Sequence, residues 1–338
     1  MKQINRRDLK FFALAFLAFA TPVHASETPF FRGMTISCHG WGESWETPEM
    51  ETTIRDLKSM GVNSIAIHPY ARIQNDGSLE WTPKNDPNQL AKPFAWAREN
   101  GMRVMLVPHI APWGTPWLWR GEIEFDSVEG WNRFFHDYEK WIVEMAILAE
   151  RQGAVLFCIG LEYGKTQKFD QRWREIIASI RKVYTGKITY GANWDEINKV
   201  PFWDALDYIG VLAYFPLTKE PNPSKASLRA AWRPWLDQLD ALSAKVGKPV
   251  IFTEVGYHEY SKAASEPWTY QRTGGEHARE IQVRCMETAL ELEQSWPILS
   301  GIFLWKWFPG TKSEPVETFD LRAPWMRESI SKTWLHAR

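Results

Sequence analysis

Few cysteines, little net charge and a single long apolar stretch set the first limits on this chain. Cys38, Cys158 and Cys285 are too few for a disulfide framework, and no two have the spacing of a metal site. Two fall in predicted strands and one in a predicted helix, where a free thiol serves as a small core side chain. The formal net charge is -1 over 338 residues, without a basic stripe that could track phosphates, so nothing points to nucleic acid. No Gly-x-Gly-x-x-Gly follows the first strand, which leaves a dinucleotide-binding sheet unsupported. Internal repeats, low-complexity tracts and inter-domain linkers are absent too. A single domain that needs no cofactor is the simplest reading.

The one long apolar stretch, Phe11–Ala20, lies near the N-terminus and is too short to span a bilayer comfortably. Lys2, Arg6 and Arg7 precede it, and Val23-His24-Ala25 offers a small-residue cleavage site before Ser26. Residues 1–25 therefore read as an export signal and 26–338 as the mature domain. The run Asn5-Arg6-Arg7-Asp8-Leu9-Lys10 resembles a twin-arginine signal, with Lys10 where a second apolar residue is usual. Ordinary secretion is the alternative. No cysteine follows closely, which argues against a lipid anchor. The expectation is a monomer, periplasmic or secreted, with no membrane anchor once the signal is removed.

What the chain has in excess is tryptophan, 20 residues. Trp41, Trp45, Trp113, Trp117, Trp119, Trp194, Trp305 and Trp307 lie on or just after predicted strand ends, where loops carry function. Some must fill the core, but a flat apolar ring also packs against the C–H face of a sugar. Eight short apolar runs predict strands over residues 33–38, 62–68, 103–108, 154–160, 187–191, 208–213, 249–253 and 301–304. Helical segments separate them. Thr47-Pro48 opens one, Asp126 or Ser127 caps a long one that stops at Gly153, and others cover 225–246, 275–293 and 325–335. Near-continuous apolar strands alternating with helices argue a parallel sheet buried on both faces. Eight such units select a single (β/α)8 TIM barrel with elaborated βα loops, an α/β fold.

Reactive groups of such barrels collect at the C-terminal strand ends. Those ends carry His39 and Trp41, His68 and Arg72, His109, Glu162, Asn193, Tyr214, Glu254 and Trp305. Glu162 closes the fourth run and Glu254 the seventh, so the two carboxylates can approach a substrate from two sides. Two carboxyl groups about 5–5.5 Å apart suit glycoside hydrolysis with retention. One attacks the anomeric carbon. The other, kept protonated by a raised pKa, gives its proton to the departing oxygen. Glu254 is assigned the first role and Glu162 the second.

The segments CIGLEYG around Glu162, GANW around Asn193, LAYFPL around Tyr214, FTEVGY around Glu254 and GIFLWKW around Trp305 resemble a clan A glycoside hydrolase. The resemblance is closest to glycoside hydrolase family 113, whose known members act on β-1,4-mannan, and it spans residues 33–309. It implies the same two roles for Glu162 and Glu254, a sugar platform at Trp305, and a hydrogen bond from Tyr214 to the nucleophile. Trp41, His68, His109 and Asn193 complete the expected substrate-binding set. Much of the clan has Asn directly before the acid/base to hold the sugar 2-hydroxyl. Leu161 stands there instead, so Asn193 or a histidine must make that contact, or the subsite differs. Two other readings stay open. His39, His68 and His109 with a carboxylate could hold zinc in a metal-dependent barrel hydrolase, although no metal is called for by any conventional motif. A non-catalytic carbohydrate-binding barrel is the other.

Overall fold

The computed structural model describes residues 29–38, 42, 44–81, 90–310 and 319–336. The expected export signal, His39 and Trp41 lie outside the described residues. Eleven strands occur among them: β1 (Phe31–Ile36), β2 (Ser64–Ile67), β3 (Tyr70–Ile73), β4 (Leu79–Glu80), β5 (Arg103–Leu106), β6 (His109–Ala111), β7 (Leu156–Leu161), β8 (Lys187–Asn193), β9 (Tyr208–Leu212), β10 (Val250–Val255) and β11 (Leu299–Trp307). Eight of them close into a barrel in the order β1-β11-β10-β9-β8-β7-β5-β2, and every neighbouring pair is parallel. The eight barrel strands are the eight apolar runs, their ends shifted by at most three residues.

Period-two alternation sorts the strand side chains. On β9, Tyr208 and Leu212 face the barrel interior, whereas Ile209 and Val211 pack outward against the helices. The interior fills with Phe31, Met105, Leu156, Cys158, Ile251 and Phe303, so the barrel is a packed core and not a pore. All three cysteines are buried free thiols. The bottom end is closed by Arg103. Its guanidinium lies 3.9 Å over the Phe31 ring and donates to the carbonyls of Pro29 and Phe30.

Helix ends follow local chemistry. Ser127 Oγ accepts from Gly130 N at 3.0 Å to open α3 (Val128–Gln152), and Gly153 closes it at φ 76°. Helix α1 (Pro48–Ser59) differs from expectation at its start: Thr47 makes no side-chain cap and instead donates to the Ser44 carbonyl. Pro48 still suits its first position. The helix expected over 275–293 stops at Leu290, and a separate short helix covers Leu292–Ser295.

A three-stranded sheet over the mouth was not anticipated. In it β3 pairs with β6 in parallel and with β4 antiparallel, which sets Tyr70 opposite His109. Its strands are two to four residues long, and β3 and β6 directly follow barrel strands, so they merge with them in any pattern read from sequence.

Candidate active site

Both glutamates stand where the barrel ladder breaks its register. β7 shifts against β8 between Cys158 and Leu161, and β10 shifts against β9 between Phe252 and Glu254. Bulges at barrel rims re-aim side chains, and on β10 the shift turns Glu254 into the mouth. Strict alternation from Phe252, which faces the helices, would send Glu254 outward with it. Backbone bonds fix both positions: Glu162 N donates to Gly191 O at 2.8 Å, and Ala213 N donates to Glu254 O at 2.8 Å. Glu162 also holds the left-handed φ of 60°, a conformation that costs a non-glycine residue energy and recurs at active sites. Leu161 points into the barrel over Gly191, where any β-carbon would sit 2.5 Å from its Cδ1. Packing thus occupies the position where a hydroxyl-binding amide was expected.

The two carboxyls open into one cavity of about 660 Å³ at the C-terminal mouth, a size typical of ligand sites. Asn193, Tyr214 and Trp305 line it, as do Trp113, Trp119 and Trp194. Tyr214 Oη donates to Glu254 Oε2 at 3.0 Å. Trp305 is 9% exposed and forms part of the wall. The peptide that follows it is cis.

His68 and His109 are not on the wall. They stack on one another, centroids 4.6 Å apart, and lie behind Trp305 at 5.8 and 6.1 Å. Burial pushes His68 down to about 3, helped by Lys306 and Arg120, and burial likewise holds His109 well below the usual range. Both are therefore neutral and back the tryptophan as flat rings. Among the described residues no three His, Cys, Asp or Glu side chains gather as metal ligands. Trp45 and Trp307 are core side chains, and Trp117 packs edge-on to Phe125. Arg72 donates to the Trp113 carbonyl at 2.9 Å and so braces the loop after β6.

Residues 34–317 match the profile of Glycoside Hydrolase Family 113. The chain belongs to glycoside hydrolase family 113. It is a glycosidase. Among solved structures, the family 113 β-mannanase of Alicyclobacillus acidocaldarius, in complex with ManMIm, is similar at 26% identity and a TM-score of 0.78, covering 92% of this chain and 99% of that one. A second family 113 β-1,4-mannanase matches at 21% identity and a TM-score of 0.80, over 92% and 100%. A family 5 mannosidase from Rhizomucor miehei shares the fold at 12% identity and a TM-score of 0.59, over 91% and 92%. No protein of curated function matches the sequence.

The cavity of this family 113 glycosidase also holds residues that strand-end reasoning missed. Trp268 and Tyr270 reach it from the loop between β10 and α6 (Gly275–Leu290). That loop is clamped by Glu259, which accepts from Arg272 Nε at 2.9 Å and Arg279 Nε at 2.7 Å. Trp268 stacks on Trp194 at 5.5 Å, and Trp194 in turn meets Trp235 edge-on. Phe319 arrives through a return segment in which Lys306 N donates to Phe319 O and Leu321 N to Lys306 O. Arg120 enters from the loop after β6.

Electrostatics tie the pair together. Burial raises Glu254 to about 8, and the Glu162 charge adds to it against the pull of Arg120, Tyr214 and Lys306. Burial raises Glu162 as well, opposed by Arg120 and assisted by Asp195 and Glu196. Glu254 is buried and Glu162 half-buried, and a charge on Glu162 disfavours a second one on Glu254. Arg120, 4.0 Å from Glu162, favours the charge there, and the raised value at Glu254 favours a proton on that carboxyl.

This has a consequence for stability. The folded enzyme keeps a proton on Glu254 up to about pH 8, whereas the unfolded chain releases it near 4.5. Between those values the folded state binds more protons, so this group's contribution falls as pH rises. Glu254→Gln removes the penalty. Its Tm should equal that of the wild type near pH 4.5 and exceed it at pH 8.5 by roughly 5–10 °C, as a shift from 4.5 to about 8, worth about 5 kcal/mol, would give. Differential scanning calorimetry at the two pH values checks this, and an offset independent of pH would contradict it.

Proposed function

We propose that this enzyme cleaves β-1,4-mannan-like chains internally and with retention, by double displacement on two glutamates. The carrying observation is the shared cavity: two interacting carboxyls at the ends of the fourth and seventh barrel strands, one half-buried and the other buried and hydrogen-bonded to a tyrosine. Glu254 attacks the anomeric carbon as the glycosidic bond breaks, while Glu162 delivers its proton to the leaving oxygen. Water then adds to the glycosyl-enzyme ester, giving up a proton to Glu162 as Glu254 departs. Tyr214 holds one oxygen of Glu254, so the nucleophile keeps its orientation through both steps. Trp305 offers an apolar face to the reacting ring. The exposed rings of Trp113, Trp119, Trp268 and Tyr270 extend the lining outward, which favours a chain over a single sugar. The mannanase names of the similar family 113 structures supply the choice of mannan.

The test is to incubate the purified protein with β-1,4-mannooligosaccharides and follow the anomeric protons by NMR. The first product to appear should be the β-anomer, drifting later to the equilibrium mixture. An initial α-anomer would mean inversion. Binding of the oligosaccharides with no turnover on any β-glycoside would make the protein a carbohydrate binder.

A further inference from the structure

A cation, Arg120, stands beside Glu162 and lines the same cavity as Glu254. Arg120 opens a single 3-10 turn, Arg120–Glu122, and that turn is closed by Glu122, which accepts from Leu118 N at 2.8 Å. Its side chain is 18% exposed, and its Nε stands 4.0 Å from Glu162 Oε2, an ion-pair distance too long for a hydrogen bond. Glu254 also acts on its charge: burial opposes the guanidinium, but Glu162, Tyr163, Glu254 and Tyr70 together hold it above its usual range. Among the described residues the guanidinium makes no hydrogen bond, although it lines the cavity. A planar fork of N–H donors is thus presented to whatever ring lies between the two glutamates.

The reaction decides which edge of the ring it can face. Positive charge develops on the anomeric carbon and the ring oxygen in the transition state. A guanidinium against the ring oxygen would oppose that charge. On the opposite flank stands the neighbouring carbon with its hydroxyl, which can accept from the arginine and donate onward to Glu254. Leu161 is apolar and fully buried, so it supplies no donor there, and the two histidines are screened by Trp305.

Building on the retaining mechanism, we infer that Arg120 is the residue that recognises the 2-hydroxyl of the reacting sugar and hands its polarity on to Glu254. The arginine comes from the loop after β6, in the connection that follows barrel strand β5, whereas the acid/base ends β7.

The test compares an aryl β-1,4-mannobioside with the same compound lacking the 2-hydroxyl on the ring that bears the aryl group. Wild type, Arg120→Met, Arg120→Lys and Asn193→Ala are measured, with circular dichroism and Tm confirming that each folds. Wild type should prefer the intact substrate by about 30-fold or more in kcat/KM, the scale of one charge-assisted hydrogen bond at the reacting ring. Arg120→Met should lose roughly 30-fold on the intact substrate yet stay within about 3-fold on the deoxy compound, so that the preference collapses. Arg120→Lys should keep part of it. Equal losses on both substrates, or a preference that survives in Arg120→Met but disappears in Asn193→Ala, would overturn the assignment. Absence of turnover by the wild type on every β-glycoside would defeat the reaction proposed above instead.

Discussion

Glu254→Ala is expected to lower kcat/KM on β-1,4-mannooligosaccharides by about 10⁴-fold or more, because the first covalent step loses its nucleophile. The fold should persist. The side chain is buried, and its charged form is already disfavoured there. The diagnostic result comes from adding azide. With the carboxylate gone, a small anion fits the vacated space and attacks the anomeric carbon directly, on the face opposite the leaving group. An aryl β-glycoside with a good leaving group should then yield the α-glycosyl azide, identified by its anomeric coupling constant. A variant with wild-type turnover, or a β-azide from it, would remove Glu254 from the nucleophile's role.

Glu162→Ala is expected to behave differently on different substrates, and the difference carries the assignment. Natural oligosaccharides have poor leaving groups and need protonation, so their turnover should fall by roughly 10³–10⁴-fold. A dinitrophenyl glycoside needs no proton to depart. Its first step should proceed, after which the glycosyl-enzyme accumulates because no base activates water. The signs are a burst of phenolate and a KM far below that of the wild type. Azide needs no base. It should therefore accelerate the second step and give the β-glycosyl azide, two inversions from the starting β-linkage. If both leaving-group classes slowed equally, Glu162 would be placing the sugar and not moving a proton.

Much of this geometry was legible before any coordinates. The eight barrel strands each leave a compact apolar run, and the rule that parallel strands deliver reactive groups at their C-terminal ends brings Glu162, Asn193, Tyr214, Glu254 and Trp305 to the same mouth. The rule says nothing of depth. His68 and His109 also close their strands, yet they sit one layer behind Trp305, because the position of a ring relative to the wall depends on what covers it. Long loops defeat periodicity altogether. Trp268 and Tyr270 reach the cavity through a segment whose path is set by Glu259 and two arginines, a tertiary constraint with no local signature. Arg120 and Phe319 belong to the same kind. Sequence suggested an asparagine or a histidine for the contact that Leu161 cannot make. The arginine beside Glu162 became visible only once the loop after β6 had a course in space.

The irregular ladder at both glutamates divides labour within the molecule. Each carboxylate is tethered to a neighbouring strand by main-chain bonds, so the gap between them is a property of the closed β-framework. That gap governs which anomer is released. The exposed rings of Trp113, Trp119, Trp268 and Tyr270 hang instead on excursions from that framework. Evolution can therefore redraw the excursions and change the polymer accepted, while the stereochemical course of cleavage stays inherited from the backbone.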